Sequence, residues 1–204
     1  MHGRVEVKNV WWPFIFFLAL SLFAGCAKQT PSLLNDPNPY DAPLPPFSTP
    51  VTREEVRLAF HKYSAKAIVK KLMENDFANW RMVMEKIAEG DADWILYATL
   101  YIKPGTDAGA SEEFTDALAY ALQHNPAAVL SLGEGYGAPL SIICSWPFIE
   151  PEYDFVLSYG EKALAALRKV DSPYYQESRD MCIRRVQEGF DFLKKEYREG
   201  RWGY

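Results

Sequence analysis

Histidine and cysteine are scarce in this chain, with three of each among 204 residues. Only His61 and His124 lie beyond residue 26, and neither belongs to an HExxH motif or a Cys/His cluster. A zinc site would need scattered carboxylates, a poor match to that metal. His124 precedes Asn125-Pro126, where a cation suits a helix C-terminus. The Gly-x-Ser-x-Gly elbow and the P-loop are both missing. Nothing therefore points to a metal or cofactor, and none is expected. Positive charge is in deficit, with 22 Lys and Arg against 27 Asp and Glu and a net charge of −5. That excludes general nucleic-acid binding, which requires a basic surface to displace phosphate counterions. Sustained two-residue alternation between hairpin turns is also lacking, which argues against a sheet.

What is present is a globular composition, 49% hydrophobic and 15% aromatic, too apolar for a disordered chain. The length allows one domain, at most two small ones. From Thr52 onward the apolar residues recur at helical spacing. Thr52-Arg53-Glu54-Glu55 matches a capping box and opens a run to about Met73. Phe77, Trp80, Val83, Met84 and Ile87 share one helical face, and Gly90 stops it. Asp91 caps a third helix ending at Pro104-Gly105. Phe114, Ala117, Leu118, Ala121 and Leu122 mark a fourth, and Asn125-Pro126 starts a short fifth. Two more begin at Glu150-Pro151 and Ser172-Pro173. The expectation is an all-α domain over residues 51–204, with six to eight antiparallel helices forming a helical-hairpin bundle or a short α-α superhelix.

The first 50 residues read differently. Arg4 and Lys8 precede an uncharged run from Val10 to Gly25, too short for a membrane span of about 20 residues and interrupted by Pro13. This is the layout of a secretory signal. Phe23-Ala24-Gly25-Cys26 resembles the lipobox of bacterial lipoproteins, with Phe23 where that family usually has Leu. The resemblance implies a signal peptide over 1–25, cleavage before Cys26, and lipid on that cysteine. With Ala27 rather than Asp following, family sorting rules imply the periplasmic face of the outer membrane. Residues 26–50 carry seven of the chain's 14 prolines and read as an extended tether that builds no core. In such an oxidising compartment the two remaining cysteines, Cys144 and Cys182, both in apolar settings, are expected to form a disulfide.

Charge is uneven along the domain. Residues 87–161 contain 12 acidic side chains and one base, Lys103, whereas 51–86 and 162–204 each carry a net charge of +3. The acidic middle predicts a protein partner with a basic surface. Its candidate contact residues are Glu112 and Glu113, in the loop that starts at Pro104, and Glu134, Tyr136 and Trp146, on or after the alternating glycines of Gly133–Gly137. Lys62, Lys66 and Lys70, at four-residue spacing, form a candidate membrane-proximal basic stripe. The functional expectation is a membrane-anchored envelope lipoprotein with a non-catalytic, protein-binding helical domain, in one version an inhibitor of the immunity type. The alternatives are a wall-glycan enzyme using carboxylates such as Asp107 and Glu134, or a structural envelope spacer.

Overall fold

The computed structural model describes residues 43–133, 135, 138–148 and 151–201. The signal peptide and Cys26 lie outside the described residues, as do Glu134 and Tyr136. Every regular element described is helical: α1 Arg53–Phe60, α2 Ala65–Leu72, α3 Ala78–Ala88, α4 Ala92–Tyr101, α5 Ala108–Ala121, α6 Pro126–Leu130, α7 Leu140–Ile143, α8 Tyr153–Arg168 and α9 Gln176–Arg198, with 3-10 turns at Lys103–Gly105 and Pro173–Tyr175. Among the described residues there is no strand, and no helix is long and apolar enough to cross a membrane.

Several boundaries follow from local chemistry. Thr52 and Glu55 complete the capping box of α1. Asp91 caps α4 through the amides of Asp93 and Trp94, and Asn125 caps α6 with Pro126 in the first turn. Gly90 ends α3 at φ +84°, a left-handed conformation that glycine adopts without steric cost. The first helical run is divided, however. The Ser64 side chain accepts from Ala67 N and starts α2 anew, so Lys62 lies in the intervening turn and only Lys66 and Lys70 share a helix. Phe77, expected inward, has φ +61° and is 49% exposed. It follows Asn75 and Asp76, also left-handed, in a tight reversal that turns its ring out.

Side chains from all nine described helices build one core, in which Ile68, Trp80, Phe114, Leu118, Leu140, Tyr159 and Val186 are almost completely buried. Helix α3 packs against α4 and α5, α1 against α4, and α8 against α9 in the most extensive pair. A disulfide joins Cys144, just after α7, to Cys182 in α9, with Cα atoms 5.1 Å apart and a sequence separation of 38. In the chain-entropy picture a loop of this length contributes about 4 kcal/mol.

The Pro-rich segment corrects its sequence reading. Leu44 and Val51 are buried with the core and Phe47 packs against it, so residues 44–51 form a strap on the domain and not a free spacer. Asn79, only 7% exposed, holds the strap with both ends of its amide. Its Oδ1 accepts from Val51 N and its Nδ2 donates to Ser48 O, each at 3.0 Å. Glu55 accepts from the backbone N–H and hydroxyl groups of Ser48 and Thr52. Proline rigidity keeps this segment out of helices, yet an extended chain can still lay apolar side chains into a groove.

Candidate functional site

Helix α5 starts at Asp107, whose carboxylate accepts from Ala110 N. This cap fixes the position of the first turn. Glu112, Asp116 and Tyr120 then recur every four residues and form one stripe along the helix. The stripe is one wall of a groove of about 520 Å³, also lined by Glu113, Phe148, Glu152 and Phe155. Tyr120, Phe148 and Phe155 touch one another, with ring centroids 5.0–5.6 Å apart. The groove thus combines four carboxylates with three aromatic rings.

The opposite wall depends on the disulfide-anchored loop. Trp146, at φ +60°, turns into the protein and donates from Nε1 to Val186 O at 3.0 Å. Its ring meets Tyr159 and Phe190 and lies against Gly189, where an added Cβ would come within 2.0 Å of it. Only glycine leaves room there. Trp146 is therefore half-buried and held by packing, next to Phe148 of the groove lining. On the α8 side, Tyr197 donates to Pro151 O, beside Glu152 at the helix start.

The electrostatics set Asp116 apart. Burial, and secondarily the charges of Glu112 and Glu113, push its carboxyl up to about 6. Its Oδ1 is buried without a hydrogen-bond partner among the described residues. Burial, with a smaller push from Asp116, also raises the Tyr120 phenol. Among the described residues none of Glu112, Glu113, Asp116 and Glu152 is in a salt bridge. Glu113 has a different partner, accepting from Trp80 Nε1 at 2.5 Å. Lys103, the one base of the acidic middle, belongs to a separate cleft. There it donates to Ser111 Oγ and lies 5.7 Å from the Phe114 ring centroid.

Of the acidic candidates, the structure thus brings together Glu112 and Glu113. Asp107 is occupied as a helix cap, which leaves the proposed Asp107–Glu134 carboxylate pair without a described geometry. Asp116, Tyr120, Glu152 and Phe155 were missed from sequence. The Glu112–Asp116–Tyr120 spacing was visible, but their pairing with Glu152 and Phe155 depends on a tertiary contact. Lys62, Lys66 and Lys70 are all exposed. Among the described residues no group of three or more His, Cys, Asp or Glu side chains is placed to hold a metal ion.

Carboxylates beside aromatic faces suit a cation. An ammonium or guanidinium group gains charge-assisted hydrogen bonds from the acids and quadrupole attraction from the rings. Compared with known proteins, the chain matches no family model, no curated protein and no solved structure.

Proposed function

We propose that this chain is a lipid-anchored protein of the bacterial cell envelope, held on the periplasmic face of the outer membrane through Cys26, whose helical domain binds a basic partner protein in the α5–α8 groove and performs no chemistry of its own. The observation that carries the binding reading is the groove itself: four carboxylates, none in a salt bridge among the described residues, beside a cluster of aromatic rings. Assembling like charges and burying part of one of them costs stability, and a partner's Lys or Arg side chains would recover that cost on binding. An inhibitor that covers a basic active site is one form such a partner relationship takes.

The test is recovery of partners from solubilised membranes with the full chain, compared with Glu112→Lys/Glu152→Lys. Glu113 is left intact because it holds Trp80. Loss of the specific partners on charge reversal is expected. Recovery of the same proteins by both forms would remove the groove from the account.

One observation favours a second reading, an enzyme acting on wall glycan. General acid catalysis uses a carboxyl whose pKa is raised in a cleft, and burial raises that of Asp116 in the groove that Glu112 and Glu152 also line. Release of soluble fragments from purified cell wall, abolished by Asp116→Asn, would favour this alternative. No release by the unaltered protein would dismiss it.

A further inference from the structure

The strap determines where the described domain begins, and its surroundings have their own chemistry. Leu44 and Phe47 lie in a cleft with Leu58, Lys62 and Tyr63. Leu58 is 51% exposed, an uncovered aliphatic side chain beside the strap. Lys62 and, along α2, Lys66 and Lys70 are exposed. Among the described residues none of these three lysines is in a salt bridge, whereas the nearby acids are engaged. Glu54 pairs with Arg57, Glu74 with Lys71, and Glu55 is held by the strap. The strap's cleft therefore exposes Leu58 together with Lys62, and Lys66 and Lys70 continue the exposed positive charge along α2.

The geometry points to this surface, Leu58 with Lys62, Lys66 and Lys70, as a docking face for an anionic lipid bilayer. The inference rests on the lipid anchor proposed above, which supplies the reason for proximity. Seventeen residues lie between Cys26 and Leu44, a covalent reach of at most about 65 Å. The chain enters the domain beside Lys62, so an anchored molecule carries this surface at the attachment point of its tether. Lysines on flexible stems lie well against headgroups while aliphatic side chains enter the interface. Each lysine close to a charged leaflet adds attraction that falls off within a Debye length.

The test uses the full chain with vesicles of phosphatidylcholine alone or with added phosphatidylglycerol, and Cys26 is checked for lipid by mass spectrometry. In anchored protein, backbone hydrogen exchange over residues 57–71 should slow on anionic vesicles relative to neutral ones. The slowing should disappear in Lys62→Glu/Lys66→Glu/Lys70→Glu and at high salt. Equal exchange on both vesicles, or slowing that survives the triple substitution, would overturn docking while leaving the anchor intact. If Cys26 carries no lipid the anchor reading fails, and docking is then read by sedimentation of the same chain. A preference for anionic vesicles of about ten- to a hundred-fold, lost in the triple variant, supports the face. No preference overturns it.

Discussion

Glu55 and Asp116 are both helical carboxylates near the surface, yet their surroundings move them in opposite directions. Glu55 sits under the strap and accepts four hydrogen bonds from Ser48 and Thr52. These overcome the opposing effect of burial and lower its carboxyl to about 2. Asp116 lies in the groove with a buried oxygen that accepts none from the described residues, and burial and two neighbouring acids raise it to about 6. The strap uses its charge to hold the fold. The groove keeps charge that works against the fold, a pattern expected where binding, not stability, has set the residue.

The largest expected effect concerns the frame around the groove. Replacing both Cys144 and Cys182 by Ser should lower unfolding free energy by about 4 kcal/mol, measured by urea titration. It should also loosen the loop that presents Phe148. At the strap, Asn79→Ala leaves Val51 N and Ser48 O without their partner and should cost about 1–3 kcal/mol. Limited proteolysis should then cut within residues 43–51. Asp116→Asn should have the smallest effect and the opposite sign, a gain of about 1 kcal/mol at pH 7 after allowance for solvent screening.

Acid separates the two carboxylates further. Because the folded-state pKa of Asp116 is raised, its contribution is most favourable below about 4 and is lost as pH rises through about 6. The advantage of Asp116→Asn should therefore vanish at pH 4. Glu55 is lowered, so its contribution is present above about 4.5 and is lost as pH falls toward 2. Urea titrations of the unaltered chain, Asp116→Asn and Glu55→Gln between pH 3 and 7 check both signs. An advantage of Asp116→Asn that is the same at pH 4 and pH 7 would contradict the assignment.

The helical architecture was legible because it rests on local signals. The Thr52–Glu55 box, Asp91 and Asn125-Pro126 all cap the helices that their positions predicted. The break at Ser64 was hidden because apolar spacing continues across it. The four-residue α7 is too short to show a period. The strap was hidden by composition, since proline content says how a segment is bent and not what it lies on. The groove was half visible: Glu112 and Glu113 stood out by charge, whereas Asp116 owes its character first to burial, which only the packed fold creates, and then to those two acids, and Glu152, Phe148 and Phe155 join the groove across the fold. The packing of Trp146 was hidden because the room for its ring, the missing side chain of Gly189, is 43 residues away in sequence.

The central claim is that a basic partner occupies the groove, and contact from inside it is the most direct measurement. Gly109 lines the groove and has open space at its Cβ position, so a photo-crosslinking amino acid can be placed there without displacing a neighbour. Irradiation of envelopes containing that full chain should capture a partner through a Lys- or Arg-bearing segment, and Glu112→Lys/Glu152→Lys should abolish the product. Absence of any product, or the same product from the charge-reversed chain, would contradict the account.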